Sequence, residues 1–73
     1  MDIILNNCKQ HFITLGVNPD VIGGVDALDK AIRSRVDNVT SWSYADGDDQ
    51  LIISTTDTNV DTSQLADLGE VQQ

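Results

Sequence analysis

The sequence predicts an α+β protein, a small single domain spanning residues 1–73, in which two N-terminal helices pack on a β-hairpin and a short C-terminal helix follows. Up to Val36, apolar residues recur every three or four positions, which is the period of an amphipathic helix. From Val39 onward they alternate with polar residues, which is the period of a strand. The 73 residues are enough for one hydrophobic core and too few for two.

The first helix is predicted from a stripe of apolar residues near the start of the chain. Asp2 can cap its beginning, and Gly16 can follow its end. An alternative interpretation makes Asp2–Leu5 a short strand, because so brief an apolar run fits either period. The stripe consists of Ile4, Leu5, Cys8, Phe12 and Leu15.

The second helix is predicted to begin at Asn18-Pro19, because asparagine is a favoured N-cap and proline is favoured at the first helical position. Gly23-Gly24 interrupts it, at a cost of about 1 kcal/mol per glycine, and marks a kink or a new segment. Its apolar stripe consists of Val21 or Ile22, Val25, Leu28, Ile32 and Val36.

The hairpin is predicted from two alternating segments, residues 39–44 and 51–56, on either side of residues 46–49. The Asp46-Gly47 pair is typical of a tight turn that needs a positive φ. An isolated hairpin is marginally stable, so its apolar side is expected to pack on the helices through Trp42, Leu51 and Ile53.

The short C-terminal helix is predicted from a capping pattern followed by two leucines. Asp61 precedes Gln64 by three residues, which resembles a capping box. Leu65 and Leu68 then share one side of a helix, and Gly69 offers a stop.

The charge is distributed unevenly along the chain. Residues 1–36, the predicted helical part, contain four acidic and four basic residues and are neutral. Residues 37–73, the predicted hairpin and short helix, contain eight acidic residues and neither Lys nor Arg, so they carry the whole formal charge of −8. Such a field disfavours direct binding to nucleic acid or to an anionic membrane, and it favours a basic protein partner.

The sequence predicts no catalytic, metal or cofactor site. Cys8 and His11 would supply only half of a zinc site, and the chain has no further Cys or His, so Cys8 is expected to be buried. The acidic residues of Asp46–Asp49 lack the spacing of an EF-hand calcium loop. A single histidine without an identifiable nucleophile gives no catalytic constellation, so we expect a protein that is not an enzyme.

We expect the protein to be cytoplasmic, in the host cytoplasm or in a virion if it is viral. The single cysteine allows no intrachain disulfide, which favours a reducing compartment. The first residues lack the basic and apolar segments of a signal peptide.

These observations predict a non-enzymatic protein-binding module, an inhibitor or nucleic-acid mimic of the kind that phages encode. Its carboxylates would occupy a basic surface, such as that of a nucleic-acid-binding protein. An alternative for the same residues is an acidic surface that only aids solubility. The alternative function is a structural subunit of a homo-oligomer or a larger assembly such as a virion. The partner-binding residues are expected to be Asp37, Asp46, Asp48, Asp49, Asp57 and Asp61.

Overall fold

The computed structural model describes residues 1–72, which form a four-stranded antiparallel sheet and two helices. Alternate residues of the central strands are buried on one face of the sheet, where the helices cover it. In chain order the elements are β1 (Asp2–Asn6), α1 (Lys9–Leu15), α2 (Gly24–Arg35), β2 (Val39–Ala45), β3 (Gln50–Thr55), a 3-10 helix (Thr62–Leu65) and β4 (Glu70–Val71).

The strands lie in the order β2-β3-β1-β4, so β1 and β3 are central while β2 and β4 are the edges. β2 and β3 form the hairpin that the alternating pattern indicates, and Trp42 pairs with Ile53. β1 pairs with β3 in a register that places Ile3 opposite Ile53. This order is that of the split βαβ arrangement, with both helices on the first crossover and the 3-10 helix on the second.

The predicted fold, two helices on a lone hairpin with a C-terminal helix, is wrong. The chain begins with a strand, and the sheet has four strands instead of two. Asp2–Leu5 forms a strand, as the alternative interpretation predicted. Pairing with β3 directs Ile3 and Leu5 into the core, where they are 5% and 0% exposed. The first helix is thereby shortened to α1, which retains Phe12 as its buried anchor.

The second helix begins at Gly24, five residues after the predicted first helical residue, Pro19. Asn18 accepts a hydrogen bond at 3.0 Å from the backbone N–H of Asp20, within a loop and not at a helix start. The helix then buries Leu28 and Ile32, as its predicted stripe requires. Val21 and Ile22 precede it and are exposed.

Within the described residues, no C-terminal helix follows the 3-10 turn. Asp61 does cap that turn, since its carboxylate accepts from the Ser63 N–H at 3.1 Å. The chain then passes close to the end of β1, because a Cβ on Gly69 would lie 3.1 Å from the Asn6 carbonyl oxygen and 2.7 Å from the Cys8 Sγ. Gly69 therefore permits a close approach that leads into β4, and it does not end a helix.

The core fills the space between the sheet and the helices. Phe12 meets the ring of Tyr44 edge to face, with centroids 5.0 Å apart. The opposite face of the sheet is open, and its central Ile4 and Ile52 are half-buried. The buried apolar residues are Ile3, Leu5, Cys8, Phe12, Val17, Leu28, Ile32, Val36, Leu51, Ile53, Leu65 and Leu68.

Candidate protein-binding surface

The structure separates the predicted partner-binding acids instead of gathering them on one surface. Asp46, Asp48 and Asp49 lie in the turn between β2 and β3. Asp37 precedes β2 and Asp57 follows β3, so both lie at the other end of the hairpin. A strand of seven residues such as β2 separates the two ends by about 20 Å. Asp61 lies on the connection to β4. The hairpin is therefore acidic at both ends.

Asp49 holds the hairpin turn against the first helix. Its carboxylate accepts from the backbone N–H of Lys9 and from the hydroxyl of Tyr44, both at 2.7 Å. It thus supplies the N-terminal cap that α1 lacks at Cys8. Asp49 also adopts the positive φ of the turn, 51°, which the sequence had indicated for the Asp46-Gly47 pair. Its role is in the first place structural.

Two further acids near this end pair with one lysine. Lys9 Nζ forms ion pairs with Asp20 and with Asp46, the latter at 2.9 Å, and it lies 5.4 Å from the centre of the Tyr44 ring. Hydrogen bonds to both carboxylates raise the pKa of Lys9. One lysine among four carboxylates leaves this end negative. We call Asp20, Asp46, Asp48 and Asp49 the turn cluster.

Burial, together with the hydrogen bond to Asp49, raises the pKa of Tyr44. Tyr44 therefore stays protonated and keeps donating to Asp49 through the physiological range. Asp48, by contrast, is exposed, and among residues 1–72 its side chain has neither a hydrogen bond nor an ion pair. Asp48 is the member of the turn cluster most available to a partner.

The opposite end of the hairpin is fixed by a buried threonine. The Thr55 hydroxyl donates to the Asp37 carbonyl at 2.6 Å and accepts from the Asp57 N–H at 3.0 Å. The Asp57 carboxylate accepts from the Asn59 N–H at 2.9 Å, while the exposed Asp37 carboxylate has no hydrogen bond within residues 1–72. We call Asp37 and Asp57 the strand-end pair.

Three further acids are engaged within the fold. Ser63 hydrogen bonds lower the pKa of Asp61. Arg35 holds Asp67 through two hydrogen bonds of 3.0 and 2.7 Å and lowers its pKa. The Trp42 indole donates to Asp29 at 2.8 Å and, with Arg33, lowers the pKa of that carboxyl. All three contacts favour the ionised carboxylate. The charges of Asp29 and Asp67 are offset by Arg33 and Arg35, whereas Asp61 is held only by uncharged donors and keeps its full contribution to the field.

An uncharged edge strand lies between the two acidic ends. β2 has the sequence Val-Thr-Ser-Trp-Ser-Tyr-Ala, with neither charge nor proline. Natural edge strands are usually protected by Lys, Pro or very short length, and the other edge, β4, has only two residues. The lack of charge in residues 39–45 is visible in the sequence and was the signal that could have indicated this edge strand.

A second surface is apolar. Val21 is 54% exposed, Val25 is 53% exposed and Ile22 is fully exposed, next to Asp20 and Asp26. The predicted buried stripe of the second helix included Val21 or Ile22, together with Val25. That prediction is wrong at these positions, because Val21 and Ile22 precede the helix and Val25 lies on an exposed side of its first turn. We call residues 21–25 the apolar loop.

The residues with possible reactivity are buried or lie in an open groove. Cys8 is buried, as the sequence predicted, and it donates to the Leu5 carbonyl at 3.3 Å, while burial raises the pKa of its thiol to about 11. His11 lines an open groove of about 360 Å³ together with Leu15 and Asp67. Residues 1–72 contain no group of three His, Cys, Asp or Glu placed to hold a metal ion.

No helix in residues 1–72 has the length and apolar character needed to cross a membrane. No protein-family model, curated protein or solved structure matches this chain. Its function is therefore inferred from the surfaces described above.

Proposed function

We propose that this protein is a non-catalytic binding module whose acidic hairpin docks on a basic surface of another protein, as an inhibitor or nucleic-acid mimic. One observation carries the proposal: residues 37–73 hold eight acids and no basic residue, and the hairpin within them has carboxylates at both ends. A field of one sign attracts a basic partner before contact and disfavours acidic ones.

The exposed carboxylates of the hairpin are suited to intermolecular pairing. Asp37 and Asp48 have no hydrogen-bond partner within residues 1–72, so they lose none on binding. Asp46 can exchange the ammonium of Lys9 for a basic group of the partner, since its ion pair is exposed. Asp57 and Asp61 add to the field, while Asp49 positions the turn.

Removing the charges of Asp46 and Asp48, while the structural Asp49 is kept, tests this proposal. We expect the double substitution Asp46→Asn/Asp48→Asn to weaken binding about tenfold at low salt, because each exposed charge pair contributes roughly 0.2–1 kcal/mol and also speeds association. The partner is first captured from a lysate of the native host and identified by mass spectrometry, and its affinity is then measured by calorimetry at low and high salt.

The matched control, Asp26→Asn/Glu70→Gln, removes two charges outside the hairpin. It is expected to reduce affinity less than about threefold when the low-salt measurement is made at about 0.1 M, where charges beyond a Debye length of about 10 Å are largely screened. Affinity that does not change between low and high salt would rule out the proposed electrostatic docking.

The second candidate function, a subunit of a larger assembly, is favoured by the apolar loop. Large exposed apolar groups in one short segment are typical of a protein interface. We expect native mass spectrometry to find a monomer under the leading proposal. A stable oligomer that Ile22→Ser dissociates would support the subunit function instead. In either case we propose a reducing location such as the cytoplasm, because the only cysteine is buried and free.

A further inference from the structure

We infer that the partner docks on the β2 edge by adding an extended segment as a fifth strand, with basic residues at both ends of that segment. This inference rests on the proposed function and specifies the chemistry of the binding segment. Addition of a strand to a free sheet edge is a common mode of peptide recognition, in which main-chain hydrogen bonds supply affinity.

The first support is the backbone of β2. The Thr55 N–H donates to the Met1 carbonyl at 2.9 Å, so the backbone of Thr55 faces β1. Along an antiparallel strand, the backbone groups of successive residues point alternately to one neighbouring strand and to the other, so those of Ile53 and Leu51 also face β1. Trp42 and Tyr44 pair with Ile53 and Leu51, and their N–H and C=O groups therefore point to the open edge. Four backbone groups are thus available to an incoming strand.

The edge is blocked only at its beginning. Arg33 Nη1 donates to the Val39 carbonyl at 3.0 Å. A register shift between Val39 and Ser41 makes a β-bulge there, and the Thr40 hydroxyl donates to the Ser54 carbonyl at 3.2 Å. From Ser41 to Ala45 the pairing with β3 is regular, so a length of five residues is open.

The side chains beside this edge leave room for a strand. Trp42 and Tyr44 are half-buried and lie on the helix side of the sheet, where each is held by a hydrogen bond to a carboxylate. Ser41 and Ser43 lie on the open face and are small and exposed. Alternate side chains of an added strand would therefore contact the rings of Trp42 and Tyr44 on the helix side, and the remaining side chains would contact Ser41 and Ser43 on the open face.

Charge decides which strand can occupy the edge. The turn cluster lies at one end of β2, where Lys9 is paired with Asp20 and Asp46. The strand-end pair lies at the other end, where Arg33 is paired with Asp29, so both ends keep uncompensated carboxylates. A second copy of β2 would bring acids against acids in either orientation, which is unfavourable. A segment with Lys or Arg on both sides of an uncharged centre would pair favourably at both ends.

The test uses a labelled nine-residue peptide with two lysines at each end and alternating threonine and valine between them. Its control has the same sequence with every central amide N-methylated, which preserves the charge and removes the main-chain donors. We expect the control to bind at least about tenfold more weakly, the equivalent of losing about 1.4 kcal/mol of main-chain hydrogen bonding. Fluorescence anisotropy measures both affinities.

Two further readouts locate the peptide. Exchange of the Trp42 and Tyr44 amide hydrogens, measured by NMR, is expected to slow severalfold when the unmethylated peptide binds. Ser43→Lys, which puts a positive charge on the edge strand, is expected to weaken peptide binding about tenfold. The matched variant Gln10→Lys, which adds the same charge on the exposed side of α1, is expected to change affinity less than about threefold.

Equal binding of the two peptides, or unchanged exchange at Trp42 and Tyr44, overturns docking on the edge. The electrostatic function would still stand if the captured partner binds with strong salt dependence. Exchange at Trp42 and Tyr44 that slows as the protein alone is concentrated also overturns the inference, because the occupant would then be a second copy. If neither peptide binds, docking of a basic-ended strand on the β2 edge is likewise overturned.

Discussion

Replacing Gly24 with alanine is expected to destabilise the protein by about 3 kcal/mol or more. A Cβ at Gly24 would overlap the carbonyl oxygen of Asn18 and lie 2.6 Å from its carbonyl carbon. These are backbone atoms, so no side-chain rotation relieves the overlap. The loop of residues 18–23 would have to separate from the start of α2.

Gly47→Ala is the matched control for this substitution. A Cβ at Gly47 meets nothing within 4 Å, and its φ is not positive, so the stability should change by less than about 0.5 kcal/mol. Urea unfolding followed by Trp42 fluorescence measures the free energy of unfolding of both variants. In a thermal scan, the unfolding midpoint of Gly24→Ala is expected at least about 12 °C below that of the parent. A Gly24→Ala midpoint within about 2 °C of the parent would contradict the close packing at Asn18.

Asp49→Ala is expected to cost about 2–4 kcal/mol, whereas Asp48→Ala should lie within about 0.5 kcal/mol of the parent. Asp49 accepts two hydrogen bonds, from Lys9 N–H and Tyr44 O–H, and alanine would also have to adopt a φ of 51°. Asp48 has no comparable partner within residues 1–72. Asp49→Asn should fall between the two variants, because asparagine tolerates the left-handed conformation and retains an acceptor oxygen.

The phenol of Tyr44 gives an independent readout of the same contact. Tyr44 is the only tyrosine in the chain, so the absorbance of its phenolate reports one group. Asp49 helps to raise the pKa of Tyr44, so the phenolate of Asp49→Ala should appear at lower pH than that of the parent. Because the pKa of Tyr44 is raised in the folded protein, the stability that its protonated phenol contributes is fully present below pH 10.0, the usual pKa of tyrosine. That contribution is lost as the pH rises above 10.0. Identical titrations of the two proteins would show that Asp49 does not contact Tyr44.

The hairpin was predictable because its alternation extends over two segments of at least six residues. β1 was not, because Ile3, Ile4 and Leu5 are a run that fits a helix as well as a strand, and only pairing with β3 decides between them. The start of α2 was misplaced because Asn18 and Pro19 satisfy the local rules for a helix start. The decisive contact, between Gly24 and the backbone of Asn18, is tertiary.

The charge asymmetry was evident from composition, but its arrangement was not. Sequence places Asp46, Asp48 and Asp49 in one turn, yet it does not reveal that Asp49 caps α1, forty residues earlier. Nor does it reveal that Thr55 holds Asp37 and Asp57 together at the far end of the hairpin. Both contacts depend on how the helices meet the sheet, which local patterns do not specify.

The unequal lengths of the two sheet edges set the stoichiometry of any complex formed through strand addition. Growth of a fibre by edge pairing requires two usable edges per molecule. Here β4 has two residues, whereas β2 has five residues open to pairing, Ser41 to Ala45. Among residues 1–72, β4 is too short to pair with a further strand, so strand addition at β2 is expected to end at a one-to-one complex.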